Sequence, residues 1–194
     1  MRIRPSGWWM AMLVAGVGIG LMGQVAPPAA PATRPSPQGV SYATLEGTYP
    51  NGRGVVIYYS RPNVTLNGQK RVIWGTLVPW GQVWRLGANE ATLMVTPMAL
   101  TIGDVEVPAG VYSLYMLPVE NGDSKLIINK MVGQIGTVYD EKQDLGRVTL
   151  KREALTTPVD QLIVALQPAQ GGGSATMKVA WESAQYSVEI KAKK

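Results

Sequence analysis

From residue 39 onward, hydrophobic and polar residues alternate along short runs that end at glycine, proline, asparagine or aspartate. A period of two is typical of β-strands that bury one face, and these runs are rich in β-branched and aromatic residues. Residues 54–60 are a clear example of this β-branched and aromatic composition, and Pro62 ends the run. The predicted strands are residues 40–48, 54–60, 72–74, 82–85, 92–96, 100–102, 105–107, 111–117, 125–129, 147–151, 159–166, 175–181 and 186–190.

Turn residues separate these runs. Asn67-Gly68 and Gly103-Asp104 are typical of tight turns between paired strands. No run keeps helical periodicity for three turns, although residues 139–144 are compatible with a helical turn. Many short strands with such turns predict an all-β protein, an antiparallel two-sheet β-sandwich or jelly-roll. We expect one domain over residues 40–190, followed by a basic tail at 191–194.

The beginning of the chain is typical of a targeting segment. Arg2 and Arg4 precede an apolar run, and small residues follow it up to Ala32. This pattern predicts a signal peptide over residues 1–32 and an exported protein, periplasmic or extracellular. The alternative is an uncleaved N-terminal anchor, which would be the chain's one contact with a membrane. Residues 33–39 continue a proline-rich linker.

The 194-residue chain contains neither cysteine nor histidine, which restricts its chemistry. Disulfides, thiolate nucleophiles, Ser-His-Asp triads and Cys/His metal sites are all excluded. The net charge is +5, but the basic residues of the body are scattered and form no stripe with interleaved aromatics. We therefore expect no nucleic-acid partner, no cofactor and no metal.

Three of the six tryptophans lie between residues 59 and 92, the stretch with the densest set of unusual residues. Residues 59–62 read YSRP, residues 74–92 read WGTLVPWGQVWRLGANEAT, and residues 108–114 read PAGVYSL. With these strings, the chain resembles a family of exported bacterial proteins known as DUF2911, a domain of unknown function. The resemblance covers roughly residues 40–190, and it implies an exported β-rich domain without an assigned activity. The family usually has Trp-Gly where this chain has Ile135-Gly136, and a shorter loop at residues 63–69.

Arg85, Asn89 and Glu90 are the first candidate site residues. If residues 86–89 form a turn, with Gly87 and Asn89 suited to positive φ, the guanidinium and the carboxylate are brought together. One interpretation is a partly buried ion pair that fixes the turn. The other is a binding site, since the guanidinium of Arg85, the amide of Asn89 and the carboxylate of Glu90 offer donors and acceptors that suit a sugar or a carboxylate group.

The aromatic candidates are Trp80, Trp84 and Tyr59. Tryptophan is most often part of a core, but an indole in a Pro- and Gly-rich turn is also a common platform for a sugar face. Tyr58 and Tyr59 are neighbours in one strand, so one is expected in the core and the other outside. Arg61, at the end of that strand, is either a further site residue or a solvated edge charge.

The resulting hypothesis is a non-catalytic binding module for a glycan or another cell-envelope component. One alternative is a structural or assembly partner of another envelope protein, and another is a carboxylate-based hydrolase. A hydrolase would need two carboxylates across a cleft, for which Glu90 and Asp140 are the pair to examine. No residue of the sequence is marked as catalytic.

Overall fold

The computed structural model describes residues 36–48 and 51–193. These residues belong to one compact unit, Thr33–Lys194. The predicted signal peptide at residues 1–32 and the first part of the linker lie outside the described residues. Within the described ranges, no helix is long and apolar enough to cross a bilayer.

Twelve strands and one short 3-10 helix make up the described chain. The strands are β1 (Gln38–Glu46), β2 (Arg53–Ser60), β3 (Thr65–Leu66), β4 (Gln69–Lys70), β5 (Thr92–Thr96), β6 (Leu100–Ile102), β7 (Val105–Val107), β8 (Gly110–Leu117), β9 (Lys125–Asn129), β10 (Asp144–Thr149), β11 (Lys151–Pro168) and β12 (Ser174–Ala192). The 3-10 helix, Glu141–Gln143, falls where the sequence is compatible with a helical turn.

The strands form a six-stranded sheet in the order β1-β2-β5-β8-β9-β10 and a four-stranded sheet in the order β11-β12-β6-β7, with β3-β4 as a separate hairpin. Every strand pair is antiparallel. The all-β, antiparallel fold predicted from the sequence is therefore confirmed. The amide of Leu166 in β11 donates to the Ser41 hydroxyl in β1 at 2.8 Å, which ties the two larger sheets together.

One hydrophobic core is built from alternate residues of both sheets. On the six-stranded sheet, Ile57, Met94 and Leu114 are fully buried, and on the four-stranded sheet Trp181 and Tyr186 are the largest buried side chains. Alternation places Tyr58 on the opposite face from Tyr59, and their exposures of 43% and 7% confirm that prediction. The period-two pattern thus determines which face of each strand enters the core.

The outer face of the six-stranded sheet is divided into two parts. Over β1, β2 and the start of β8 it is open, and Val40, Tyr42 and Val111 are exposed there. Over β8 and β9 it is covered by residues 130–143, here called the covering loop, beneath which Tyr115 is fully buried. The covering loop therefore encloses a second, more polar packing layer outside the main core.

Several predicted boundaries were wrong, each for a local reason. Residues 72–74 and 82–85 are not strands, because they make only isolated bridges, Trp74 with Val78 and Trp84 with Met116. The two strands predicted at 175–181 and 186–190 form the single β12, because the left-handed Glu182 (φ 52°) makes an irregularity without ending the pairing. The last two residues of the predicted linker, Gln38 and Gly39, pair with β2 and belong to β1. The first two residues of the predicted basic tail, Lys191 and Ala192, pair with β6 and belong to β12.

Two substitutions in β8 test the assignment of faces. Leu114→Ala should lower the free energy of unfolding by about 2–5 kcal/mol, because it leaves a cavity in the main core. Val111→Ala, on the exposed face of the same strand, should change it by less than about 0.5 kcal/mol. Urea denaturation of both variants measures this difference, and equal losses would show that the faces are assigned incorrectly.

Candidate functional site

The central motif lies in a strand-free connection between β4 and β5, residues 71–91, here called the tryptophan loop. Its backbone is held by the six-stranded sheet, because the amide of Trp84 donates to the Met116 carbonyl at 2.7 Å and the reverse bond measures 2.8 Å. The amide of Gly81 donates to Pro118 at 2.8 Å. The loop is thus fastened along the end of β8, although it is not itself a strand.

Its tryptophans join an aromatic cluster with β12. Trp84 stacks on Trp181 with ring centroids 5.6 Å apart, and Trp74 meets both rings edge-on at 6.0 and 6.5 Å. The indole N–H groups donate to backbone carbonyls, Trp74 to Trp181 at 3.2 Å and Trp84 to Gly87 at 3.2 Å. These satisfied donors and ring contacts make Trp74 and Trp84 part of the packing between the two larger sheets.

Trp80 lies at the edge of this cluster and is partly buried. Its ring stacks on Trp74 at 6.0 Å, and the guanidinium of Arg152 in β11 lies 5.3 Å from its centroid. Gly75 (φ 82°) permits this arrangement, since a Cβ there would lie 2.7 Å from the indole nitrogen of Trp80. The Trp80 indole is therefore already engaged by an aromatic ring and a cation.

Arg85 follows Trp84 and is partly buried against the covering loop. A Cβ on Gly136 would lie 2.3 Å from its Cδ, so the arginine stem passes directly over the glycine backbone. Among the described residues, the guanidinium has no hydrogen-bonding or ion-pair partner, and its Nε is buried. The next residue, Leu86, is fully buried at φ 54°, a conformation that costs a bulky residue energy.

The Arg85 side chain lines a cavity of about 260 Å³, here called the Arg85 cavity. Its other walls are apolar, aromatic or neutral polar: Leu77, Pro79, Gln82, Val83, Trp84, Tyr115, Gly136, Thr137 and Tyr139. Arg85 is the single charged group among these described lining residues. The cavity thus combines one unpaired cation with aromatic walls and neutral hydrogen-bonding groups.

Glu90 and Tyr59 line a different cavity, of about 230 Å³, on the open side of the covering loop. Here called the Glu90 cavity, it also contains Tyr58, Ser113 and Gln134. It lies beside the pairing of Glu90 with Ile135. Glu90 is exposed and carries the one carboxylate among the described residues that line this cavity.

The structure therefore distributes the predicted site residues among several places. Trp84 and Arg85 line one cavity, and Tyr59 and Glu90 line another. Of the other three predicted site residues, Trp80 lies at the edge of the aromatic cluster, and Asn89 and Arg61 form hydrogen bonds that involve backbone groups. The Asn89 carbonyl accepts from the amide of Gly136 at 2.9 Å.

Arg61 is partly buried, and its Nε donates to the Leu162 carbonyl of β11 at 3.4 Å. Asn89 has the positive φ expected for the turn. The second residue of the turn with a positive φ is Leu86, and not Gly87 as predicted.

A polar network beneath the covering loop was not anticipated from the sequence. The Tyr139 hydroxyl donates to Asp144 at 2.7 Å, and Arg147 contacts both groups, at 2.9 Å to Asp144 and 3.0 Å to the hydroxyl. Burial, together with the bond to Asp144 and its negative charge, raises the pKa of Tyr139 to about 12. The closeness of Tyr139, Asp144 and Arg147 in the sequence was the one feature from which this network could have been predicted.

Gln134 connects this layer to both cavities. Its Nε2 donates to the Tyr115 hydroxyl at 2.8 Å, to Ser113 at 3.1 Å and to the Met131 carbonyl at 3.2 Å. A carbonyl only accepts, so the bond to Met131 fixes the orientation of the amide. Tyr115 belongs to the wall of the Arg85 cavity, and burial raises its pKa.

The described acidic side chains do not form a metal centre. Among residues 36–48 and 51–193, no group of three or more acidic side chains is placed to hold a metal ion. Asp140 caps the 3-10 helix, accepting from the amide of Lys142 at 3.0 Å, and it is not part of the lining of the Glu90 cavity.

Tyrosine ionisation tests the network around Tyr139. Because the folded protein favours the protonated phenol, the associated stability should be complete below the ordinary tyrosine pKa near 10 and be lost as the pH rises through about 12. Subtracting the ultraviolet absorbance titration of Tyr139→Phe from that of the wild type should isolate a step near pH 12. A step near pH 10 would contradict the network.

Comparison with known proteins places this sequence in a family. The model of the family described as protein of unknown function (DUF2911) matches residues 41–190. No curated protein and no solved structure matches the chain significantly. Since the match covers most of the sequence, including the tryptophan loop and the covering loop, the chain belongs to the DUF2911 family.

Proposed function

We propose that this domain is a non-catalytic binding module for a small ligand that carries a carboxylate, such as an acidic sugar of the cell envelope. The single observation that carries the proposal is the unpaired guanidinium of Arg85 in a cavity without a described acidic residue. Arginine presents a planar fork of donors that matches a carboxylate in two-point contact. The ligand's carboxylate would supply the partner that the described chain does not provide.

The partial burial of Arg85 supports this role. Removing a cation from water is costly, and buried cations are normally paired. The stem of Arg85 is packed against the backbone of Gly136, which reduces the side-chain entropy lost when a ligand binds. A positioned but unpaired cation is therefore better explained by an external anion than by the stability of the fold.

The neutral walls of the Arg85 cavity support a sugar-like ligand. Gln82 and Thr137 provide hydrogen-bonding groups, and Trp84 and Tyr139 provide aromatic surface. A volume of about 260 Å³ is small for a ligand cavity and suits one ring or one terminal group. A concavity with polar groups favours a small ligand, whereas a protein partner would be expected on a flat apolar surface.

The carboxylate-based hydrolase receives less support. It requires two acidic groups facing one cleft, whereas Glu90 is the one carboxylate among the described lining residues of its cavity. Its proposed counterpart, Asp140, holds the first turn of the 3-10 helix. A binding role needs no such pair.

Calorimetry with matched sugars tests the proposal. Glucuronate should bind and glucose should not, and N-acetylmuramic acid should bind more tightly than N-acetylglucosamine, because each pair differs by a carboxylate. Arg85→Gln should weaken binding of the acidic sugars by about tenfold or more, the usual scale for loss of a charged hydrogen bond. Arg85→Lys should retain only part of the affinity, since an ammonium lacks the planar fork.

Arg53→Gln is the matched control. Arg53 is 60% exposed and paired with Glu46, so its loss removes the same charge far from the tryptophan loop. Its affinity for glucuronate should equal that of the wild type. Equal binding of acidic and neutral sugars, or unchanged binding by Arg85→Gln with its melting temperature intact, would refute the proposal.

A further inference from the structure

A second charged concavity lies on the other side of the aromatic cluster. This basic groove, of about 450 Å³, is lined by Lys70, Arg71, Val72, Ile73, Trp74, Arg152, Glu182 and Ser183. The sequence separates its cations, because Lys70 ends β4 and Arg71 follows it, whereas Arg152 belongs to β11. The fold brings three cations to one surface, next to the indole of Trp74.

Backbone carbonyls fix the two arginines in place. Arg71 donates through Nη2 to the carbonyl of Asn63, and Arg152 donates through Nη1 to the carbonyl of Glu120 at 2.9 Å. Arg152 also lies over the rings of Trp80 and Tyr186, at 5.3 and 6.0 Å. Neither guanidinium forms an ion pair with a described carboxylate, so both keep their charge available to a ligand.

The backbone at the groove is strained. Glu182 is in the left-handed region at φ 52°, opposite a part of β11 where the register shifts on both sides of Val159. Such conformations cost energy in a non-glycine residue and are concentrated at functional sites, where bulges re-aim side chains. The strain is a second observation, independent of charge, that distinguishes this surface from an ordinary basic patch.

Glu182 is the one carboxylate among the described residues that line the groove, and its orientation matters. Its Oε2 accepts from the amide of Ser183 at 2.9 Å and from the Ser183 hydroxyl. The carboxylate is therefore occupied by its own neighbour and not by Arg71 or Arg152. Three cations against one carboxylate leave the groove with a positive charge.

We propose that the basic groove binds a phosphate group, with Lys70, Arg71 and Arg152 as its cationic contacts. A phosphate has more charge and more acceptor oxygens than a carboxylate, and it suits several cations arranged around one point. This proposal does not depend on the Arg85 cavity, which holds one cation and fits a planar anion. The phosphate can belong to a soluble phosphate ester or to a lipid headgroup, since the recognising chemistry is the same.

Calorimetric titration of the full chain with inorganic phosphate and with glycerol 3-phosphate tests the proposal. Lys70→Gln should weaken binding at least about threefold, and its exposed position makes it a mild change for the fold. Glu182→Gln should strengthen binding by a similar factor, because it removes the negative charge of the groove. Opposite effects from two neighbouring substitutions would not arise from a general loss of structure.

Two matched controls locate the site. Lys130→Gln removes an exposed positive charge outside the groove and should leave the affinity unchanged. Arg53→Gln, which removes an exposed guanidinium paired with Glu46, should also leave it unchanged. Absence of phosphate binding, equal affinities for Lys70→Gln and Glu182→Gln, or loss of binding in Arg53→Gln or Lys130→Gln would each overturn the proposal.

Sedimentation with vesicles distinguishes the two sources of phosphate. Phosphatidylglycerol vesicles are compared with wild type, Lys70→Gln and Glu182→Gln, so that any contribution of residues 1–35 is common to all three. If the variants change vesicle binding in the same direction as binding of glycerol 3-phosphate, the groove accepts a lipid headgroup. If they change only the binding of the soluble ester, the groove is selective for soluble phosphates, and both results support a phosphate site.

Discussion

The stacking of Trp84 on Trp181, at 5.6 Å between ring centroids, is the contact on which the candidate site depends. Trp181 belongs to β12 in the four-stranded sheet, whereas the backbone of Trp84 pairs with Met116 in the six-stranded sheet. One residue therefore links both sheets, and such an aromatic pair adds about 0.5–1.5 kcal/mol beyond the burial of its surface. Arg85 follows immediately in the chain, so its position is set by a rigid core contact and not by a free loop.

Charge and burial then separate the surface into sites of different chemistry. The covering loop encloses the outer layer of Tyr115, Tyr139 and Asp144, in which the hydroxyl and carboxylate groups bond to one another or to the loop backbone. Arg85 lies at the edge of that layer without a described partner. The Tyr139 hydroxyl and the Asp144 carboxylate of that layer bond to each other, whereas the guanidinium of Arg85 has no partner among the described residues, and this contrast is the basis of the proposed binding role.

The fold was largely predictable because strand faces follow from local alternation. The strands β5, β6, β7 and β9 have the predicted bounds, since a proline or glycine follows each of the first three and the turn at residues 121–124 precedes β9. Two segments of the tryptophan loop, residues 72–74 and 82–85, were mispredicted as strands, because their tryptophans and β-branched residues are there for a different reason. Their indoles fill the space between the sheets, and period-two alternation cannot distinguish this kind of burial from a strand.

The candidate site was predictable only as a set of residue types. Arg85 and Glu90 are close in sequence, but the positive φ values at Leu86 and Asn89 turn the chain between them, and they line separate cavities. The contacts with Gly136 and the meeting of Lys70 with Arg152 depend on pairings between residues far apart in the chain. Local sequence patterns carry no information about contacts between distant residues, which is why the basic groove was not predicted from the sequence.

The most direct measurement is the NMR signal of the Arg85 Nε–H group, assigned by its loss in Arg85→Lys and followed during titration with glucuronate and with glucose. A guanidinium that receives a carboxylate should show a saturable shift of this signal with glucuronate and none with glucose. A signal that glucuronate leaves unmoved, while other parts of the spectrum respond, would place the ligand elsewhere and contradict the role of Arg85.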